Sequence, residues 1–297
     1  MMQRFLSIGE CMVEMAPTVD GDYRLGFAGD TFNTAWYAKR TLGDDWDVAF
    51  LTAVGEDTVS EQMMDFVGDA GINTEFIRRL PDCTVGLYLI QLNNGERSFA
   101  YWRSDSAARR LANDPALLEA ALATAGVIYV SGITLAILSP ADRVALLGAI
   151  AAARQNGATV AFDPNLRPRL WDNQDIMRQT IMAGASVSDI LLPSFEDEAS
   201  YFGDTTPEDT ARRYADAGAA LVVVKNGPGN IISLIDDQIS SFTPARVANA
   251  VDTTAAGDSF NAGFLASYLE SGDLPAAIAA AADLAAKVIT KRGALVE

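Results

Sequence analysis

Histidine is absent from the 297-residue chain. That absence excludes Ser-His-Asp and Cys-His catalysis, histidine-ligated zinc, and any imidazole acid or base. A general base must then be a carboxylate, a lysine, a tyrosine or a cysteine. Cysteine is scarce as well: Cys11 and Cys83 are the only two, without a metal-type spacing. They are expected to be free thiols acting as small buried hydrophobes in a reducing compartment. Basic residues are few, 22 against 39 acidic ones, for a net charge of −17. A nucleic acid or an anionic membrane needs a basic surface, so neither is expected as a partner. A small anionic substrate stays open, because a few arginines, backbone N–H groups and Mg²⁺ decide a buried site. No apolar run reaches the about eighteen to twenty residues that span a bilayer. The small-apolar stretch 276–286 is broken by Asp283 and reads as a packed helix. The start, MMQRFLSIGE, lacks a basic region followed by a long apolar one, so no signal peptide is read and the cytoplasm is expected.

What is present is alternation. FLSIG (5–9), VAFLTAVG (48–55), VIYVSG (127–132), TVAFDPN (159–165), DILLPS (189–194) and LVVVKNG (221–227) are short apolar runs ending in polar or glycine-rich breaks. They fit buried strands of a mostly parallel sheet. Helical patterns lie between them. Ser139-Pro140 opens one that Asn156-Gly157 closes, and 207–218 forms another. The expected fold is α/β, a doubly wound mostly parallel sheet with helices on both faces, in a single domain over 1–297. Ligands on such sheets bind beyond the carboxyl ends of the strands, where Asp163, Asn165, Ser194, Lys225 and Asn226 fall.

The stretch DTTAAGDSFNAGFLASYL (252–269) carries the sharpest chemical signal. Ala255, Ala256 and Gly257 lead into Asp258 and a helix whose Phe260, Phe264, Leu265, Tyr268 and Leu269 recur at the spacing of one buried face. Such a helix start offers unpaired N–H groups and the positive end of a dipole, an anion site suited to phosphate. A carboxylate placed there is understandable as the base that phosphoryl transfer to an alcohol requires.

A hairpin breaks the α/β alternation. VGLYLIQL (85–92) and RSFAYWR (97–103) flank Asn93-Asn94-Gly95-Glu96. Pairing Leu92 with Arg97 sets Tyr88 opposite Tyr101 and Gly86 opposite Arg103. Tyr88, Tyr101 and Arg103 then share a face, as a lid over a polar, anionic ligand would. An exposed hairpin with ordinary cross-strand pairs is the plainer alternative. Near the N-terminus, Gly29 precedes a helix that projects Asp30 and Asn33 from its first turn. Gly29 would let the backbone approach a ligand, and the two polar residues suit sugar hydroxyls; simple helix capping by Asp30 or Thr31 is the plainer alternative. Lys225, Asn226, Gly227 and Gly229 form a strand-end turn that matches neither GxxxxGK[ST] nor GxGxxG, so P-loop and dinucleotide folds are excluded. Arg167 and Arg169 follow another strand, where a guanidinium can hold a carboxylate or phosphate.

Together, DTTAAGDSFNAGFL, Gly29-Asp30 with Asn33, and VGEDTVSEQMMDFVGDAGINTEFI (54–77) resemble the ribokinase-like, or PfkB, carbohydrate kinases over essentially the whole chain. Three details resemble the members that phosphorylate 2-keto-3-deoxygluconate: Ala255 in DTTAAGD, the Tyr101–Arg103 run with Tyr88 across from it, and Arg167. The resemblance implies β-lid segments at about 10–28 and 84–104 inserted in the ribokinase-like domain. It implies ATP and Mg²⁺ as cofactors and Asp258 as base, with Ala255, Ala256 and Gly257 around the transferred phosphoryl group. Gly29, Asp30, Asn33, Tyr88, Tyr101, Arg103 and Arg167 would hold the sugar acid. The nucleotide would meet Asn165, Ser194, Lys225, Asn226, Gly227 and Gly229, together with the 255–257 loop. Asp197 would face Mg²⁺, and Asp252 and Thr254 a monovalent cation such as K⁺. Lids of this kind pair between subunits, which implies a homo-oligomer. The family's NxxE element stands here as Ser194-Phe195-Glu196-Asp197, and the second glycine of KNGPGN comes one residue early. A kinase for a neutral sugar such as fructose, or a silent sugar or nucleotide sensor on the same fold, remain the alternatives.

Overall fold

The computed structural model describes residues 2–18, 20–93 and 96–297. The strands are β1 (Gln3–Ile8), β2 (Met12–Pro17), β3 (Tyr23–Ala28), β4 (Trp46–Val54), β5 (Ile77–Arg79), β6 (Leu87–Asn93), β7 (Glu96–Trp102), β8 (Val127–Ser131), β9 (Thr159–Asp163), β10 (Ile190–Leu191), β11 (Leu221–Val224), β12 (Ile231–Ile235) and β13 (Gln238–Phe242). The helices are α1 (Asp30–Thr41), α2 (Thr58–Asp69), α3 (Pro115–Ala123), α4 (Gly132–Ile137), α5 (Pro140–Gln155), α6 (Gln174–Ser186), α7 (Phe195–Tyr201), α8 (Pro207–Asp216), α9 (Ala256–Ser271) and α10 (Leu274–Val288).

Among these residues the main sheet has nine strands in the order β13-β12-β11-β10-β9-β8-β1-β4-β5. It is parallel from β11 to β5, with β12 and β13 antiparallel at one edge. All six runs read as strands contribute to it. Alternate residues divide between two cores. Phe5, Val48, Phe50 and Val223 pack on one side with α1, α9 and α10, while Leu6, Ile8, Leu51 and Val222 pack on the other. Burial on both faces explains why these strands read as continuous apolar runs.

The helix signals act locally as their chemistry requires. The Ser139 side chain accepts the Asp142 N–H at the start of α5, Asn156 caps its end, and Gly157 is left-handed there. Thr206 and Asp209 form a reciprocal capping box on α8. The single buried stripe expected on α9 is corrected by the structure. Every residue from Asp258 to Ala266 is buried, because this half of the helix is enclosed by α1, α10 and the sheet. Small residues such as Gly263 allow that enclosure: a Cβ there would lie 3.2 Å from the Ala281 Cα.

A second sheet, ordered β3-β2-β6-β7, is built from 12–28 and 87–102. Its β6–β7 pairing follows the register expected from sequence, with Tyr88 opposite Tyr101 and Leu92 opposite Arg97. The Asn94-Gly95 turn itself lies outside the described residues. Cys11 and Cys83 are free thiols, but only Cys11 is fully buried. Cys83 sits in the half-exposed connection before β6, which corrects the expectation that both are core residues. No helix of the described residues is long and apolar enough to cross a membrane.

Candidate active site

The carboxyl ends of β8, β9 and β11 are tied to the first turns of α9 through Asn261, which meets Tyr129, Asp163 and Lys225. Ala255 precedes that helix in a left-handed conformation, φ 57°, and no side chain caps it. The backbone thereby turns sharply into a helix whose first N–H groups lack intrahelical partners. Asp258 is buried one turn in. Its Oδ2 accepts from Asn33 Nδ2 at 2.8 Å, and Asn33 Oδ1 is itself held by the Gly29 N–H at 3.3 Å. That second contact fixes the amide so that its NH₂ group faces the carboxylate. Burial, and then the neighbouring Asp30 carboxylate, push Asp258 up to about 8, against the lowering effect of the Asn33 hydrogen bond. A carboxyl titrating there is matched to proton abstraction near neutral pH.

Asp30 does not cap α1. Its Oδ2 accepts from Asn165 Nδ2 at 2.9 Å, and burial raises its carboxyl above the usual range. Asn165 is left-handed, φ 37°, its own N–H held by Asp163 Oδ1 at 3.1 Å. Gly29 is also required by the fold. A Cβ there would lie 2.0 Å from the Glu10 carbonyl oxygen, so the chain itself approaches closely at this position. Arg167 stands at the edge, half-exposed, with Nη1 3.6 Å from Asp197 Oδ2.

On the small sheet, Tyr88, Tyr101 and Arg103 do share a face. The two tyrosine rings are 6.0 Å apart, and the Arg103 guanidinium carbon is 6.0 Å from the Tyr101 centroid. Two buried glutamates that no sequence motif marks lie with them. The Tyr88 hydroxyl donates to Glu14, while Arg103 Nη2 and the Ser106 hydroxyl donate to opposite oxygens of Glu10. No local pattern pairs Glu10 with a residue as distant as Arg103.

Lys225 also differs from expectation. It turns inward: Nζ donates to Asp163 Oδ2 at 3.1 Å and to Asn261 Oδ1 at 3.0 Å. Asn261 Nδ2 donates in turn to Asp163 at 2.7 Å and to the Tyr129 hydroxyl at 2.9 Å. A Cβ on Gly257 would sit 3.7 Å from the ammonium, which therefore lies directly beside the α9 corner. Asn226, Gly227 and Gly229 form the turn leaving β11, with Gly227 left-handed, φ 51°. Ser194 and Lys225 are bridged through their backbones.

Among the described residues no group of three or more acidic or sulfur ligands forms a metal cage. Asp197 is mostly buried, and burial raises its carboxyl while Arg167 opposes the rise. One such carboxylate suits Mg²⁺ carried in on phosphates, which needs few protein ligands. Asp252 accepts from the Thr254 N–H at 2.9 Å and the Gly293 N–H at 2.8 Å, fastening the loop before α9 to the C-terminal segment.

The profile described as pfkB family carbohydrate kinase matches residues 2–296. The chain belongs to the pfkB carbohydrate kinase family. This kinase is 39% identical over 296 residues to the 2-dehydro-3-deoxygluconokinase of Dickeya dadantii (strain 3937), covering 97% of this chain and 95% of that one. It is 36% identical over 303 residues to the enzyme of the same name from Haemophilus influenzae, covering 100% and 96%. In fold, the kinase superposes on a PfkB protein from Polaromonas sp. JS666 with TM-score 0.86, at 25% identity and covering 98% and 96% of the two chains. It superposes on the 2-dehydro-3-deoxygluconokinase of Thermotoga maritima with TM-score 0.86, at 20% identity and covering 99% and 96%.

Proposed function

We propose that the protein transfers the γ-phosphoryl group of ATP to the 6-hydroxyl of 2-dehydro-3-deoxygluconate, giving ADP and the 6-phosphate. The observation that carries this proposal is full-length similarity to 2-dehydro-3-deoxygluconokinases in a chain that brings Asp258 to a bare helix start. Asp258, oriented by Asn33, takes the hydroxyl proton as the oxygen attacks phosphorus in line. N–H groups from Ala255 to Asp258 and the Lys225 ammonium stabilise charge on the transferring group. Asp30, Asn33 and Asn165 hold sugar hydroxyls, with Gly29 completing the wall. Tyr88, Tyr101, Arg103 and Arg167 receive the keto-acid end.

Ser194, Asn226, Gly227 and Gly229 face the nucleotide, with Asn165 and the 255–257 loop at its phosphates. Asp197 is the residue to hold Mg²⁺, which neutralises triphosphate charge when bound. Asp252 and Thr254 flank the place for a monovalent cation such as K⁺. The small sheet acts as a lid that excludes water, a competing acceptor. Its exposed Tyr101 and Trp102 support association of two copies through it, in the cytoplasm. Light scattering checks that assembly.

A coupled ADP assay across sugar acids and neutral sugars tests the reaction. Turnover of 2-dehydro-3-deoxygluconate at least about a hundredfold above fructose, in kcat/KM, is expected for a site with a dedicated cationic partner. Equal or greater turnover of fructose would overturn the proposal, and absence of ADP formation with any sugar would favour a sensor.

A further inference from the structure

Arg103 is under-used as it stands. Its Nη2 is engaged by Glu10, yet its buried Nε has no hydrogen-bond partner. A guanidinium binds a carboxylate best along an edge, through two parallel N–H groups. Here one donor of the Nε–Nη2 edge is taken by the protein's own carboxylate and the other is left orphaned. A buried orphan donor of this kind is costly, since it has lost water without gaining a partner. The arrangement is therefore one that an incoming carboxylate, spanning both donors, can improve.

Glu10 is equipped to give way. One of its oxygens belongs to Arg103 and the other to the Ser106 hydroxyl, so losing the guanidinium does not strip it of every partner. Its place is fixed by close packing: a Cβ on Gly86 would lie 2.9 Å from Glu10 Oε1 and 3.1 Å from the Arg103 Cβ. The charged and titratable groups around it are Arg103 from beyond β7, Asp30 from α1 and its own neighbour Cys11, with Glu14 on the far side of that thiol. Arg103 supplies the positive charge that faces it. Burial already raises the Glu10 carboxyl, with Arg103 as the largest opposing influence.

We propose that Glu10 is a specificity-determining positioning residue, an internal carboxylate that holds Arg103 in the empty site and is exchanged for the carboxylate of the acceptor. This rests on the sugar-acid assignment above and deepens it. When the acceptor claims Arg103, Glu10 stays buried with Ser106 and takes up a proton from solvent. Binding of the acid is thus coupled to uptake of about one proton and weakens as pH rises, whereas a neutral acceptor leaves Glu10 on Arg103 and shows neither effect.

The test is Glu10→Gln, which keeps shape and the Ser106 contact but removes the competing charge. With 2-dehydro-3-deoxygluconate, KM is expected to fall about tenfold with kcat changed less than about threefold, the size of one charged hydrogen bond. KM for fructose should not move, and Glu10→Asp should restore a higher KM for the acid. A rise in KM for the acid, or no change, would overturn the exchange and make Glu10 a simple brace for Arg103. If Glu10→Gln does not fold, calorimetry of the acid binding to Asp258→Asn protein in two buffers of unlike ionisation enthalpy decides. About one proton taken up supports the exchange, and none refutes it. Wild-type protein that fails to phosphorylate the acid at all would instead sink the substrate assignment, a result visible before any variant is made.

Discussion

Replacing Asp258 by asparagine should abolish most turnover and make the folded protein more stable, a pairing that only a carboxyl perturbed by its surroundings produces. The Asn33 amide can donate to the new side-chain oxygen as it does to the old one, so the geometry is preserved. What changes is the charge. An ordinary aspartate releases its proton near 3.8, whereas burial and Asp30 hold Asp258 up to about 8. Between those values the native chain retains a proton that the unfolded chain has lost. A raised carboxyl therefore makes wild-type stability fall as pH rises from about 4 to about 8. At pH 7 the difference is about three units, or up to about 4 kcal/mol. At roughly 2 °C per kcal/mol for a chain of this size, Asp258→Asn should melt as much as about 8 °C higher at pH 7, with the gap closing towards pH 4. On the kinetic side, wild-type kcat/KM should fall about tenfold per pH unit below 8, and the variant should lose about 10²–10⁴ in kcat. Scanning calorimetry and pH–rate profiles read both arms. A wild-type acid limb centred near 4, with no stabilisation in the variant, would refute the electrostatic account.

Three other perturbations separate roles. Arg167→Ala removes a half-exposed guanidinium whose charged partner is Asp197 at 3.6 Å and whose Nη1 donates to the Leu166 carbonyl at 2.7 Å, so stability should shift by less than about 1 kcal/mol while KM for the sugar acid rises about tenfold. Unchanged KM in the coupled assay would place the acid's carboxylate elsewhere. Ala255→Val forces a β-branched residue into a left-handed corner at a strain cost of about 1–3 kcal/mol, and kcat should drop with calorimetric affinity for the sugar intact. Ala255→Gly, free of that strain, should keep wild-type kcat. Far from these groups, Arg213 binds buried Glu198 at 2.7 Å and Asp204 at 2.6 Å. Arg213→Ala should cost about 3–5 kcal/mol in urea unfolding, because it leaves Glu198 buried without its counter-ion, the Tyr214 hydroxyl alone remaining, without altering acid-over-neutral preference.

Sequence made legible whatever is written in short-range pattern. The β6–β7 register followed from counting outward from a turn signal, and the buried strands from runs of apolar residues. The edge hairpin β12–β13 carried such a signal too, since Asp236 and Asp237 both adopt left-handed φ between alternating segments, but its two aspartates are a weaker mark than Asn-Gly. The site was readable where chemistry sits in a contiguous motif, as at Ala255–Asp258. It was not readable where a buried charge meets a distant partner. Glu10 with Arg103, Glu14 with Tyr88, and Asn261 between Lys225 and Asp163 are contacts created only by the fold. The α9 stripe misled for a related reason: helix periodicity reports one neighbour, and this helix has several.

The order of the main sheet has a consequence for how the chain reaches its native state. β1 is paired on one side by β4, but its other neighbour is β8, so that Phe5 must find Val127. During synthesis the first strand therefore emerges long before the strand that completes its pairing. Until then an apolar edge of Phe5, Leu6 and Ile8 stands open to neighbouring chains. Pairings this distant in sequence form slowly, because the loop must close before any contact rewards it. Newly made copies are thus most exposed to association in the interval before residue 131 leaves the ribosome, and refolding from denaturant should show its greatest losses at high protein concentration.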